Sequence, residues 1–322
     1  MSAQGNGLIA DIGGTNARFA HVGKDGTVSD IDVLACADYA SLTQAAKAYL
    51  AKHKRTAAHA AFAVAAPILG DQIRMPNHTW VMSQKQIKDD MNLETLRIVN
   101  DFTAVAHGVP LLSPEDYRQI GDGAAQKNAP IGIIGPGTGL GVAAVVFDAQ
   151  GRAIPVTTEG GHVTMCINTQ REWDIVAELK REKYHHVSAE RLVSGKGIVN
   201  IYQATCALDG HTPEKTDPSD ITRAGLEKSC PVCIETLDLF ADLLGTLAGN
   251  VALSLGAFGG VYIAGGIVTK LGDWFKASRF RESFMNKGRS RDYLARIPTF
   301  VITHPYPGLV GLQRLAMDGA QC

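Results

Sequence analysis

The stretch Leu8-Ile9-Ala10-Asp11-Ile12-Gly13-Gly14-Thr15-Asn16-Ala17-Arg18-Phe19-Ala20 restricts the fold more than any other. Residues 8–12 read as a buried strand with a carboxylate near its end, and 17–22 as a returning strand. Gly13-Gly14-Thr15 joins them as a tight turn. Glycine tolerates positive φ and carries no side chain, so backbone N–H groups can face outward there and cradle a phosphate. An Asp at the base of such a turn can hold a divalent cation. The stretch is not a Walker A loop, because it lacks G-x-x-x-x-G-K-[ST] and a strand rather than a helix follows the glycines.

The device recurs. Residues 131–134, then Gly135-Pro136-Gly137-Thr138-Gly139-Leu140-Gly141, then 142–147 again read as strand, glycine–threonine turn and returning strand, about 125 residues after the first. A repeat on this scale predicts a duplicated α/β fold with two phosphate turns facing one cleft. A third glycine turn, Gly265-Gly266, ends the apolar run 261–268 and would let backbone approach an adenosine. Gly139-Leu140-Gly141-Val142-Ala143-Ala144 also fits the dinucleotide pattern G-x-G-x-x-A, which must open a helix. The residues after it are β-branched and alternate like a strand, which argues against an NAD-dependent dehydrogenase.

At 322 residues the length suggests two domains, with the crossing in 111–130, where Pro, Gly and charge are concentrated. In the first part, 31–36, 60–65 and 97–100 read as strands. Ser41 caps a helix to about 54 and Ser83 one to about 91, and Asp101 begins a helix over 102–108. Further on, 172–183 is an amphipathic helix and Ser188 starts another that carries Glu190. Ser194-Gly195-Lys196-Gly197 breaks the chain before a helix at 198–208, and 217–223 is a capped polar segment. Residues 234–255 form a buried helix whose Gly245 and Gly249 predict a close neighbour. Residues 299–304 form a strand, and a last helix over 308–317 returns to the first domain. Strands alternating with helices make the chain α/β.

A net charge of -1, with no stripe of Lys and Arg, gives no support for nucleic-acid binding. No apolar run reaches the roughly 18 residues of a membrane span. The opening MSAQGNG lacks the parts of a signal peptide, so a cytoplasmic location is expected. Of the six cysteines, only Cys230-Pro231-Val232-Cys233 has a suggestive spacing. A zinc site needs about four ligands and no second CxxC stands nearby, so a plain structural role is expected over metal or redox chemistry.

Asn100-Asp101 stands at the end of a strand, where open α/β sheets place ligands, and Asp101 also fits a helix N-cap. Glu159-Gly160-Gly161-His162 is a polar loop, and Glu190 follows Ser188. Asn, Asp, Glu and His together accept hydroxyl hydrogen bonds. They suit a neutral polyol better than an anion, which would call for Arg or Lys.

With these residues assembled, the chain resembles the bacterial ATP-dependent glucokinases of the hexokinase–actin–Hsp70 superfamily. The resemblance covers almost the whole chain, and its matching segments are 10–18, Asn77-His78-Thr79-Trp80, 100–105, 137–141, 159–162, 186–191 and 258–267, which in this order are highly specific. Related ROK-family sugar kinases carry a cysteine-rich zinc motif after the EGGH segment. Only Cys166 follows here, which is similar to the zinc-free branch.

The resemblance implies duplicated actin-like, ribonuclease H-like α/β domains with a mixed sheet in each, as two lobes around a cleft. The small domain would be 1–112 plus 304–322, and the large domain 113–303. It implies transfer of the γ-phosphoryl group of ATP to the 6-hydroxyl of glucose, with Asp101 as the general base. Asn77, Asn100, Glu159, His162 and Glu190 would join Asp101 in binding glucose. Ala10, Asp11, Ile12, Gly13, Gly14 and Thr15, with Gly137, Thr138 and Gly139, would form the phosphate turns, and Gly265 and Gly266 part of the adenosine site. Asp11 would hold Mg2+ through water. A homodimer is expected. The alternatives are a kinase for another hexose or an acylamino-sugar, and a sugar-responsive regulator. The regulator would need an N-terminal helix-turn-helix, for which Leu8 leaves no room.

Overall fold

The computed structural model describes residues 6–75 and 80–319, so Asn77 lies outside the described residues. The chain divides into two compact units, Met1–Leu112 with His304–Cys322, and Ser113–Thr303. Each contains one mixed sheet.

In the first unit the sheet runs in the order β3-β2-β1-β4-β7. Its strands are β1 (Gly7–Ile12), β2 (Asn16–Val22), β3 (Val28–Ala35), β4 (His59–Val64) and β7 (Thr95–Asn100); β5 (Gln72–Arg74) and β6 (Val81–Ser83) form a separate ribbon. The β1–β2 and β2–β3 pairs are antiparallel, whereas β1, β4 and β7 are parallel. Register places Ile12, Val64 and Asn100 side by side, so the carboxyl ends of three neighbouring parallel strands lie level.

Side chains alternate across a strand, and both faces of β1 are covered. Leu8, Ala10 and Ile12 join one core with α1 (Leu42–Lys52), which Ser41 caps by accepting the Gln44 N–H. Ile9 faces the other way, into a core that holds Ala104 of α3 (Asp101–Gly108) and Leu309, Leu312 and Leu315 of the terminal helix Pro307–Gly319. Alternation therefore puts Asp11 on the α3 side. A short α2 (Gln84–Asp90) is capped by Ser83.

The second unit repeats the plan in the order β11-β10-β9-β12-β13-β8. Its strands are β8 (Tyr117–Ile120), β9 (Ile131–Pro136), β10 (Leu140–Phe147), β11 (Ala153–Thr157), β12 (Val261–Ile263) and β13 (Thr299–Ile302). Strands β9, β12 and β13 are parallel and β10 returns antiparallel, matching β1, β4, β7 and β2. The helices are α4 (Gln170–Glu182), α5 (Gly195–Leu208), α6 (Pro218–Leu226), α7 (Pro231–Leu255), α8 (Gly266–Ala277), α9 (Phe280–Met285) and α10 (Arg291–Ala295). Helix α7 is buried along most of its length, and α9 packs so near that a Cβ on Gly245 or Gly249 would strike the Phe280 or Phe284 carbonyl.

Several expectations are corrected. Residues 117–120, taken as part of a crossing, pair with β13, because Ile120 and Thr299 can both bury there. Gly135 and Pro136 are strand, so the second turn shrinks to Gly137-Thr138-Gly139. A strand follows that turn, which removes the dinucleotide reading. Residues 266–268 open a helix instead of continuing a strand. Ser188 starts only a 3-10 turn at Ala189–Arg191. Helix α5 begins at Gly195, because the Ser194 hydroxyl accepts the Gly197 N–H at 3.0 Å.

Candidate active site

On the first unit the chemistry gathers at the level ends of β1, β4 and β7. The Gly13 turn is closed by Gly13 N–H to Asn16 O at 2.9 Å and pinned to the residue after β3 by Cys36 N–H to Thr15 O at 2.9 Å. Asp11, paired in register with Arg18, lies 3.8 Å from its guanidinium. Burial raises the Asp11 carboxyl above the ordinary carboxylate value, and Arg18 opposes that rise.

Asn100, not Asp101, is the N-cap of α3. Its Oδ1 accepts the Phe102 N–H at 2.9 Å and the Thr103 N–H at 3.3 Å. Asp101 is thus the first helical residue, and its Oδ1 accepts the Phe102 N–H at 2.9 Å. Burial, reinforced by the negative field of Asp11, pushes the Asp101 carboxyl up to about 6. A carboxylate poised there can take up a proton near neutral pH, which an ordinary surface Asp does poorly.

On the second unit the predicted hydroxyl acceptors converge on one strand end. Glu190 Oε2 accepts the Leu140 N–H at 2.9 Å, where β10 leaves the Gly137 turn. The segment carrying Glu190 runs beside the Glu159–His162 loop. A Thr164–Ser188 bridge and the Ala189 N–H to Val163 O bond at 2.8 Å join them. Glu159 and His162 are exposed, with 3.8 Å between Oε2 and Nε2.

The same turn borders a cavity of about 750 Å³. Gly137 and Thr138 form one edge; Gly195, Lys196 and Ile198 of α5 another; α6 contributes Ser219, Thr222, Arg223 and Leu226; and α8 contributes Gly266, Ile267 and Lys270. The first turns of three helices therefore border it. Helix N-termini direct unpaired N–H groups and positive dipole at an anion, and Lys196, Arg223 and Lys270 add charge. Just before α8, Gly265 has φ at 95° and packs where a Cβ would strike the Pro136 carbonyl oxygen.

Apart from Gly266, the cavity residues of α5, α6 and α8 escape the sequence reading. Ser194-Gly195-Lys196-Gly197 holds a usable signal, an N-cap serine opening a helix with a cation in its first turn. The α6 residues hold none, since they look like any solvated helix face.

A family model described as Glucokinase matches residues 8–319. The chain belongs to the glucokinase family. A glucokinase of Paramagnetospirillum magneticum is 49% identical over 313 residues, 97% of each chain. One from Erwinia tasmaniensis is 44% identical over 305 residues, 94% of each chain. Among solved structures, a glucokinase from an Antarctic psychrotroph matches with a TM-score of 0.86 and 34% identity, over 97% of this chain and 99% of that one. The expected family and duplicated α/β fold therefore hold. The chain is an ATP-dependent hexose kinase by family, and no helix of the described residues is long and apolar enough to cross a membrane.

Proposed function

We propose that the enzyme transfers the γ-phosphoryl group of ATP to the 6-hydroxyl of glucose, with Asp101 taking the hydroxyl proton. The observation that carries the base assignment is a carboxyl pushed up to about 6 at the carboxyl end of β7. A base of that pKa is ionised at neutral pH yet basic enough to help as the attacking oxygen loses its proton. Phosphoryl transfer owes most of its rate to positioning and charge stabilisation, so orienting that oxygen matters as much as deprotonating it.

Labour is divided between the units. The second holds ATP in the cavity beside Gly137-Thr138-Gly139, with the helix N-termini and cations at the phosphates and Gly265-Gly266 at the adenosine. The first contributes the Ala10–Thr15 turn. Glu159, His162, Glu190 and Asn77 accept glucose hydroxyl hydrogen bonds, and Asn100 donates one. Glu190 has one oxygen on Leu140 and a second left for the sugar. Asn100 spends Oδ1 on its cap and one amide N–H on the Ala66 carbonyl at 3.5 Å, which leaves the other N–H to donate to the sugar.

Asp11 is the residue suited to Mg2+. Its half-buried carboxylate is a hard oxygen donor, and among the described residues no cluster of three or more metal-binding side chains exists. Asp11 would hold the ion through water. Mg2+ supplies charge neutralisation on the β- and γ-phosphates. We place the reaction in the cytoplasm and expect a homodimer.

A coupled assay with glucose and MgATP, repeated over a hexose and acylamino-sugar panel, tests the reading. Asp101→Asn is expected to lower kcat by at least ~10², the usual scale of a general base, while glucose still binds. Inactivity with glucose at millimolar concentration, or near-normal kcat in that variant, overturns it.

A further inference from the structure

The Cys230-Pro231-Val232-Cys233 motif is absorbed by neither the fold nor the reaction. Cys230 is the N-cap of α7, with extended backbone (φ -142°, ψ 115°), and Cys233 is its third helical residue. Inside a helix, side chains three apart stand ~5–6 Å from each other at Cβ, too far for a disulfide's ~3.5–4.5 Å. An N-cap in extended conformation folds its side chain over the third residue instead. Ser41 and Ser194 do so elsewhere in this chain, each meeting the third residue's N–H. The motif thus sits at the one place on a helix where Cys-x-x-Cys can close without unwinding it.

The two thiols differ as an attacking and a resolving thiol should. Cys230 is half-buried and Cys233 fully buried. Burial alone would raise the Cys230 thiol. The Cys233 backbone N–H and thiol, Lys215 and the Val232 N–H together bring it below the ordinary thiol value. Burial and the Cys230 sulfur push the Cys233 thiol up to about 12. Among the described residues no third metal-binding side chain joins the pair to make a metal site.

The pair also stands against a wall of the cavity. A Cβ on Gly225 of α6 would lie 2.8 Å from the Cys233 carbonyl oxygen, so the two helices touch backbone to backbone. The link between them is short and stiff. Lys228 is left-handed (φ 57°), and the N–H groups of Glu227, Lys228 and Ser229 all bond back to α6 carbonyls. Glu227 itself lines the cavity.

We propose that Cys230 and Cys233 form a reversible dithiol–disulfide pair, and that closing it displaces the 227–230 link and weakens nucleotide binding. The regulatory half rests on the reading of the α6-walled cavity as the ATP site. The oxidant is a low-molecular-weight disulfide. The Cys230 thiolate attacks one of its sulfurs, the S–S bond breaks, and one thiolate leaves. Cys233 then loses its proton and attacks the Cys230 sulfur of the mixed disulfide, expelling the second thiolate. Two protein thiols give up two electrons and two protons, and the reagent becomes two thiols.

The test equilibrates the full chain with glutathione disulfide or with dithiothreitol. Alkylation and mass spectrometry then locate the crosslink, and steady-state assays give KM for ATP and for glucose separately. The expected result is a 230–233 disulfide and a roughly threefold or greater rise in the ATP KM, the scale of disturbing one packed turn. Dithiothreitol should reverse it, and the glucose KM should stay unchanged. Cys230→Ser should be insensitive to the oxidant, whereas Cys233→Ser should stop at a mixed disulfide on Cys230 and form no crosslink. Absence of the crosslink while exposed Cys166 is glutathionylated overturns the proposal, as does a response that survives in Cys230→Ser. Thr222→Trp, which fills the cavity, separates the two readings. If it leaves the ATP KM unchanged, the ATP-site assignment fails. If it raises the ATP KM while the disulfide does not, the redox proposal fails.

Discussion

Glu190 Oε2 accepts the backbone N–H of Leu140 at 2.9 Å, across fifty positions of sequence. The bond fixes the exit of the Gly137-Thr138-Gly139 turn with a side chain assigned to the sugar. Under the proposed function, one carboxylate would serve both substrates. Glu190→Ala is expected to raise the KM for glucose and for ATP, the latter about tenfold, because the Leu140 N–H loses its acceptor at a cost of ~1–3 kcal/mol. Glu190→Gln keeps an acceptor for Leu140 and weakens only the sugar contact. Steady-state KM values for both substrates in the two variants check this. An unchanged ATP KM in Glu190→Ala would remove the turn-anchoring role.

With Asp101 as the proposed base, the acid side of the pH profile is expected to follow its ionisation. Its carboxyl is pushed up to about 6 by burial first and by Asp11 second. The base must be ionised to accept a proton, so kcat/KM should be flat above neutral pH. It should fall about tenfold per pH unit well below 6. The limb should be absent from the residual activity of Asp101→Asn. A limb near 4 would mean that burial does not hold Asp101 in the free enzyme.

The same shift predicts a trade between stability and turnover. The folded-state pKa stands above the unfolded 3.8, so the stability Asp101 contributes is complete below 3.8 and lost as pH rises through about 6. At pH 7 the ionised carboxylate opposes folding. Asp101→Asn removes that charge, keeps an acceptor for the Phe102 N–H, and should stabilise the protein by about 1–3 kcal/mol at pH 7. At pH 4 the gain should nearly vanish. Thermal melts of both proteins at the two pH values read the difference, and an equal gain at both would locate its cause elsewhere.

What was legible in the sequence follows from how local each signal is. The turns at Gly13 and Gly137 announce themselves because a glycine pair or Gly-Thr-Gly interrupts apolar strands, and the helix starts at Ser41 and Ser83 carry their own caps. The N-cap of α3 moves by one position, from Asp101 to Asn100, since either residue can cap and only the fold shows Asn100 Oδ1 meeting two N–H groups. Strand β8 is polar and exposed on two of its four residues and is held by pairing with a strand 180 residues away. The cavity is the least legible part. Thr222 and Arg223 become lining residues only because α6 packs beside α5 and α8. The raised carboxyl of Asp101 likewise depends on burial that only the fold creates, and second on Asp11, which arrives from a different strand.

Two adjacent glycines separate folding from binding in one experiment. Gly265 has φ 95° and no room for a Cβ beside the Pro136 carbonyl oxygen, whereas a Cβ on Gly266 would meet nothing within 4 Å. Gly265→Ala should therefore cost ~2 kcal/mol or more through backbone strain and displacement of the turn it supports. That corresponds to a fall in Tm of several degrees for a chain of this size. Gly266→Ala places alanine at the first position of α8, where helix propensity favours it by up to about 1 kcal/mol, so its Tm should hold or rise. Its methyl group enters the cavity where the backbone is proposed to approach the adenosine, and the ATP KM should rise with the glucose KM unchanged. Melting curves and KM values for the two variants measure both effects. A destabilised Gly266→Ala, or one with an unaltered ATP KM, would place the nucleotide away from the start of α8.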